Sequence, residues 1–183
     1  VTAGADLPPV AQADLDAVSR QLGREARGVA EVAHRCPCGE PDVVRTEPRL
    51  PDGTPFPTSF YATCPRLTGA LSTLESQGVM REMSDRLEAD PELRERYTAA
   101  HLDYLGRRAQ LGDVPEVAGV SAGGMPTRVK CLHVLVAHSL AQLDDVPARQ
   151  VIVDSCPTRI LLPNPDAASS ANAPLYHDLG LND

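Results

Sequence analysis

Apolar residues recur every three or four positions in five stretches of the chain, which is the spacing of one face of an α-helix. Pro65 fits the first turn of the second stretch, where its missing N–H costs nothing. Asp90 and Pro91 form a cap and a first turn for the fourth stretch. The pattern predicts helices over residues 10–22, 65–77, 79–87, 91–111 and 127–143.

Three shorter stretches near the N-terminus carry valine, aromatic and threonine residues and are bounded by turn-forming residues. They predict strands over residues 28–33, 42–46 and 56–63. Pro37 and Gly39 form a tight turn between the first two strands, and the proline-rich residues 48–57 connect the second to the third. The predicted fold is α+β, with a small antiparallel sheet of about three strands packed by a helical majority.

The chain divides into three parts by pattern. Residues 1–9 predict a flexible leader, and residues 10–143 predict a single α+β domain. Residues 144–183 carry two short apolar runs and a stretch of Pro, Asn, Ala and Ser, with little helix potential. They predict an irregular appendage of different origin.

Charge and hydropathy exclude several classes of function. The net charge is −8 and no basic face is evident, so nucleic-acid binding has no electrostatic support. No apolar run approaches the length of a membrane span. The N-terminus lacks the basic-then-apolar pattern of a secretory signal, so we expect a cytoplasmic protein without a nucleic-acid or membrane partner.

Five cysteines, an odd number in a chain expected to be cytosolic, predict free thiols or metal ligands rather than a disulfide framework. Cys64 is predicted at a helix N-cap, and Cys131 in the first or second turn of the last helix. Both positions favour a thiolate. Together with Cys36, which could be replaced or joined by Cys38 of the same turn, they predict a metal site. Alternatively, each cysteine is a small buried apolar residue.

Helix geometry separates the two histidines of the last helix from this cysteine. On a straight helix, His133 lies about 160° from Cys131, so the two cannot easily bind one ion. His133 is therefore predicted to pack in the core. His138 shares the Cys131 stripe but lies roughly 10 Å along the axis, and is predicted to line the same pocket.

Four hydrogen-bond donors share one face of the fourth helix, where they could bind an anion or form a polar surface. They are Tyr97, His101, Tyr104 and Arg108. The glycine-rich residues 121–124, followed by Arg128 and Lys130, could also present N–H groups to an anion. No P-loop, nucleophile elbow, zinc-protease or dinucleotide motif is present.

If the protein is an enzyme that acts on a small anionic ligand, the sequence predicts a role for each of these residues. The predicted catalytic residues are His101, Arg108, Lys130 and His138. The predicted substrate-binding residues are Tyr97, Tyr104, Arg35 and Arg128. The predicted metal ligands are Cys36, Cys64 and Cys131.

Several runs, in order along residues 11–142, resemble the bacterial family known as domain of unknown function 501. The runs are Arg27-Gly28-Val29, Arg35-Cys36-Pro37, residues 50–58 (Leu-Pro-Asp-Gly-Thr-Pro-Phe-Pro-Thr), Thr63-Cys64-Pro65 and Arg128-Val129-Lys130-Cys131-Leu132-His133. The resemblance implies a bacterial cytosolic domain and strengthens the three cysteines as a set, but it supplies no reaction.

The C-terminal residues resemble a second family. Residues 151–165 and 175–182 are similar to part of the conjugal-transfer type IV secretion ATPases. The nucleotide-binding Walker motifs of those ATPases are missing, so the resemblance implies no ATPase activity. Cys156 belongs to this segment and is left out of the predicted site.

The leading hypothesis is a domain that binds an iron–sulfur cluster or zinc through its three cysteines, beside a pocket of basic and histidine side chains. One alternative is a metal-free enzyme with Cys64 or Cys131 as an activated nucleophile. Another is a non-catalytic interaction module with structural cysteines, whose protein partner the sequence does not identify.

Overall fold

Three antiparallel strands form a sheet in the order β1-β2-β3. In the computed structural model, which describes residues 7–142, β1 spans Val29–Arg35, β2 spans Pro41–Thr46 and β3 spans Phe60–Ala62. Val44 lies opposite Val32 on β1 and opposite Tyr61 on β3, which makes β2 the central strand. The predicted three-stranded antiparallel sheet is confirmed.

The described residues also form five α-helices, which confirms the predicted α+β class. They are α1 (Gln12–Leu22), α2 (Pro65–Ser76), α3 (Val79–Ala89), α4 (Pro91–Leu111) and α5 (Leu132–Leu140). A single 3-10 turn, Pro115–Val117, interrupts the loop between α4 and α5. No helix among residues 7–142 is long and apolar enough to cross a membrane.

The two faces of the sheet pack against different helices. Val43 and Phe60 point to the main core, while Val44 and Tyr61 face a small cavity that is also lined by Val18 of α1. Alternation along a strand places successive side chains on opposite faces, which explains this division. Helix residues of the main core are Leu67, Leu71, Leu87, Tyr104, Leu132, Val134 and Ala137.

Helix α5 begins five residues later than the sequence pattern predicts, at residue 132 rather than 127. The backbone N–H groups before it have partners outside the helix. Lys130 N–H donates to Gly123 O at 2.7 Å, and Val129 N–H donates to Ser84 Oγ on α3 at 3.1 Å. These hydrogen bonds hold the segment against the glycine loop and α3 in a non-helical conformation, although its apolar residues recur at helical spacing.

Strand β3 is also shorter than the predicted strand over residues 56–63. The first residues of that stretch fold back on the preceding loop. Phe56 N–H donates to Pro48 O at 2.8 Å, and Arg49 forms an isolated bridge with Pro55. Most of the predicted leader and the whole predicted appendage, residues 144–183, lie outside the described residues.

Candidate metal centre

Cys131 lies immediately before α5, in an extended conformation with φ −154° and ψ 117°. His133 lies in the first turn of the helix. Because Cys131 is outside the helix, the angular separation expected on a straight helix does not apply. The prediction that Cys131 and His133 cannot easily bind one ion assumed a straight helix through both residues, and the structure corrects that assumption: their donor atoms lie within 4.8 Å of each other.

Glu75, in the last turn of α2, brings a carboxylate to the same place. Its Oε1 accepts the Leu132 N–H at 2.6 Å and lies 3.1 Å from His133 Nδ1. Burial raises the pKa of the Glu75 carboxyl, but the Leu132 N–H, His133 and the Cys131 thiol together outweigh burial. The net pKa lies below the usual value, so Glu75 is held as a carboxylate beside the cysteine and the histidine.

The second ring nitrogen of His133 also has partners on α2. His133 Nε2 lies 3.2 Å from the Thr68 carbonyl oxygen and 3.4 Å from Ser72 Oγ. A carbonyl oxygen only accepts, so the hydrogen bond to Thr68 requires a proton on Nε2. In the neutral ring this leaves the lone pair on Nδ1, which is the nitrogen that faces Glu75.

The three side chains together offer one oxygen, one sulfur and one nitrogen donor. Glu75, Cys131 and His133 have donor atoms that all lie within 4.8 Å of one another. Within residues 7–142 this is the one set of three or more Cys, His, Asp or Glu that satisfies that distance. The Glu75 and His133 side chains are 23% and 26% exposed, so the site is reachable from solvent.

The structure corrects the predicted ligand set of three cysteines. Cys36 forms a disulfide with Cys38 and therefore offers no thiolate, which also corrects the expectation of free thiols at these positions. Cys64 is the N-cap residue of α2, as predicted, but it is not part of the three-donor group. Of the predicted cysteines, only Cys131 lies in that group.

Glu75 and His133 are the members that sequence reasoning missed. Glu75 lies 57 positions from its partner Leu132, and no local spacing pairs it with residue 131. The signal for His133 was present: a Cys-x-His sequence directly after a glycine- and proline-rich loop. If such a loop delays the start of the helix, the two side chains come together.

The four hydrogen-bond donors predicted on one face of α4 are largely buried. Two of them, His101 and Arg108, form hydrogen bonds with loop residues. His101 Nδ1 lies 2.9 Å from Ser121 Oγ. The Arg108 guanidinium donates to the carbonyl oxygens of Val117 and Val120, both at 2.6 Å, and of Pro57 at 3.3 Å. These contacts give both side chains a structural role, and their predicted catalytic roles stay predictions.

The two tyrosines of the same stripe also contact backbone. The Tyr104 hydroxyl accepts the Ser59 N–H at 2.5 Å and donates to Pro57 O at 3.2 Å. The Tyr97 hydroxyl donates to the Arg128 carbonyl oxygen at 3.2 Å. Their predicted contact with a substrate stays a prediction.

His138 lies away from Cys131, in a network with α4. Its Nε2 is 2.8 Å from Asp103 Oδ2, and Gln142 Nε2 donates to the same oxygen at 2.7 Å. The imidazole is stacked on Phe60, with ring centroids 5.2 Å apart. The His138 hydrogen bond lowers the pKa of Asp103, an effect that burial opposes and the positive charge of Arg107 reinforces.

The remaining predicted basic residues are exposed. Arg128 and Lys130 lie in the segment before α5, close in sequence to Cys131. Arg35 makes a bidentate ion pair with Asp14 of α1, at 2.7 and 2.8 Å. Arg35 is therefore engaged with α1, while the predicted roles of Arg128 and Lys130 toward an anion stay predictions.

Comparisons with known proteins identify one family. No curated protein and no solved structure matches the chain. The resemblance of the C-terminal residues to conjugal-transfer ATPases therefore receives no support. The model of one family, described as protein of unknown function (DUF501), matches residues 32–153, which is more than half of the chain and extends into the predicted appendage. The chain therefore belongs to the DUF501 family.

Proposed function

We propose that this protein is a metal-binding domain that holds one zinc ion through Glu75, Cys131 and His133. The observation that carries the proposal is the convergence of three different donor atoms within 4.8 Å. In tetrahedral zinc sites, bonds of about 2.0–2.3 Å place neighbouring donors roughly 3.3–3.6 Å apart. Only small side-chain movements separate the observed arrangement from that geometry.

The donor types favour zinc over an iron–sulfur cluster. Zinc accepts carboxylate oxygen, thiolate sulfur and imidazole nitrogen in one site. Iron–sulfur clusters are held mainly by cysteine thiolates, and this group contains one cysteine. A carboxylate, a thiolate and a neutral imidazole together carry two negative charges. They balance the charge of a divalent cation, so no uncompensated charge is left in this partly buried site.

The hydrogen bond behind His133 supports the same proposal. A metal-binding histidine commonly donates its other ring N–H to a carbonyl or carboxylate, which fixes the tautomer and the ring orientation. Thr68 O is in that position, 3.2 Å from Nε2. Nδ1 is then the nitrogen that binds the ion, and Thr68 of α2 orients it.

Three protein ligands leave a fourth position on a tetrahedral ion. The site is reachable from solvent, and the exposed Arg128 and Lys130 precede Cys131 in sequence. A water molecule or a small anion would complete the coordination there. In this proposal, the small anionic ligand predicted from the sequence binds at this fourth position.

A metal-free cysteine enzyme is the second candidate, because Cys131, His133 and Glu75 contain the residue types of a nucleophile, base and orienting carboxylate. In such a triad one imidazole nitrogen faces the thiol while the other faces the carboxylate. Here Nδ1 contacts Glu75 and Nε2 contacts Thr68 O. Neither of these hydrogen bonds directs a ring nitrogen at the Cys131 thiol, as a nucleophile–base pair requires, so the geometry favours metal binding.

Metal analysis of the full chain tests the proposal. The purified protein is stripped with a chelator, reloaded with excess zinc, desalted, and analysed for bound metal. We expect one zinc per chain for the wild type and loss of zinc in Cys131→Ser and Glu75→Gln. Cys64→Ser is the matched control, because it removes a partly buried cysteine outside the group and should retain zinc.

Cobalt substitution identifies the ligand directly. A thiolate-to-cobalt charge-transfer band should appear in the wild type and in Cys64→Ser, but not in Cys131→Ser. Equal zinc content in the wild type and Cys131→Ser would contradict the proposal. Stoichiometric iron with visible absorbance in anaerobically purified protein would replace zinc with a cluster.

A further inference from the structure

A disulfide closes the turn between β1 and β2, joining Cys36 to Cys38 across a single proline. The backbone of this turn is already fixed by hydrogen bonds. Cys36 N–H donates to Glu40 O at 3.0 Å, and Gly39 N–H donates to Cys36 O at 2.8 Å. The hairpin therefore does not depend on the disulfide for its shape.

The disulfide also adds little to the stability of the fold. A disulfide stabilises a protein mainly by restricting the unfolded chain, and the effect grows with the number of residues that it encloses. The Cys36–Cys38 bond spans a sequence separation of 2, at the bottom of that scale. A bond that neither shapes nor strongly stabilises the hairpin is free to open and close in the folded protein.

The surroundings favour attack by a thiol from solvent. Cys38, Pro37 and Gly39 are all exposed, and Cys36 is half-buried. The backbone N–H of Cys38 donates to Cys36 Sγ at 3.2 Å. An N–H group directed at sulfur stabilises the thiolate that forms when the disulfide opens, and a stabilised thiolate is a better leaving group.

A cation lies across the same turn. The Arg35 guanidinium donates to the Gly39 carbonyl oxygen at 3.2 Å and is held in place by Asp14. Because Asp14 pairs with its charge, Arg35 supports the shape of the turn rather than a thiolate at Cys36. The turn thus combines exposure, a short enclosed loop and an N–H directed at sulfur.

From these observations we propose that Cys36 and Cys38 form a redox-active pair that exchanges with small-molecule thiols. A thiolate RS⁻ attacks Cys38 Sγ, forming a mixed disulfide and releasing Cys36 as a thiolate. A second RS⁻ attacks the RS sulfur of the mixed disulfide, releasing RSSR and the Cys38 thiolate. The protein disulfide is reduced by two electrons while two thiols are oxidised to one disulfide, and two protons pass from the thiols to the cysteines.

Equilibration of the folded full chain with glutathione buffers tests the proposal. Samples at different ratios of oxidised to reduced glutathione are quenched in acid, alkylated, digested and analysed by mass spectrometry of the peptide that contains both cysteines. We expect the two sulfurs to convert together between disulfide and dithiol. In Cys36→Ser, the mixed disulfide of Cys38 with glutathione should accumulate, because the resolving thiol is missing.

Two outcomes would overturn the proposal. One is a disulfide that resists excess reduced glutathione in the folded protein and opens only after unfolding in urea. The other is a pair of thiols that stays reduced in excess oxidised glutathione. The Glu75→Gln variant should exchange like the wild type, and Cys36→Ser should keep its zinc, so this proposal and the proposed metal site succeed or fail separately.

Discussion

Glu75 caps helix α5 from helix α2: its Oε1 accepts the Leu132 N–H at 2.6 Å. The residue at the N-cap itself, Cys131, makes no side-chain cap hydrogen bond. A carboxylate at a helix N-terminus both satisfies an otherwise unpaired N–H and interacts favourably with the helix dipole. Glu75 thus takes the capping role that the Cys131 side chain does not fill, and its hydrogen bond links α2 to α5.

Removal of this cap should destabilise the metal-free protein. We expect Glu75→Ala to lower the free energy of unfolding by about 1–2 kcal/mol, in the range of lost N-caps. Glu75→Gln should cost less, because its amide oxygen still accepts the Leu132 N–H. Urea unfolding in the presence of a chelator measures both. The exposed Glu95→Ala of α4 is the control, expected within about 0.5 kcal/mol of wild type.

Arg108 should be needed for folding because its buried guanidinium binds three backbone carbonyl oxygens. Arg108→Met leaves those carbonyl oxygens without their donor, and we expect a loss of about 2–4 kcal/mol in the free energy of unfolding. Urea titration at neutral pH checks the value. Arg81→Met, at an exposed position of α3, should change it by less than about 0.5 kcal/mol. Equal effects of the two substitutions would contradict a structural role for Arg108.

Local sequence signals predicted most of the fold because they act within one helical turn. Asp90 accepts the N–H groups of Glu92 and Leu93, both at 3.0 Å, as the Asp-Pro start of α4 predicts. Pro65 opens α2 directly after the N-cap residue Cys64. In both cases the cap residue and the groups that it satisfies are neighbours in sequence.

The candidate site was predicted only through Cys131, because its other members depend on contacts between distant segments. Ser84 of α3 and Gly123 of the loop take the N–H groups of Val129 and Lys130, and these contacts move the helix start. Apolar periodicity records which side chains are buried, but not which backbone groups have been engaged by another element. The true start of α5 decides whether Cys131 faces His133.

Asp103 should contribute stability that depends on pH. Hydrogen bonding to His138 lowers its pKa, so the folded state favours the ionised carboxyl more than the unfolded chain does. That stability is present above the ordinary Asp pKa and is lost as the pH falls through the lowered folded pKa. The destabilisation caused by Asp103→Asn should therefore be largest near neutral pH and should shrink below about pH 4.

Urea unfolding of both proteins at a series of pH values measures this difference. The exposed Asp85→Asn of α3 serves as the control for removing a carboxylate without this network. A destabilisation by Asp103→Asn that stays constant down to pH 2 would show that ionisation of Asp103 contributes nothing to stability.

Zinc binding should release protons and strengthen as the pH rises. Zinc-bound cysteine is a thiolate and zinc-bound histidine is neutral, so the ion binds in competition with protons on its ligands. The association constant should therefore rise with pH over the range in which the metal-free ligands bind those protons. Calorimetry in buffers of different ionisation enthalpy should show proton release on zinc binding, to the same extent for Cys64→Ser as for the wild type. Zinc binding without proton release would place the ion on other ligands.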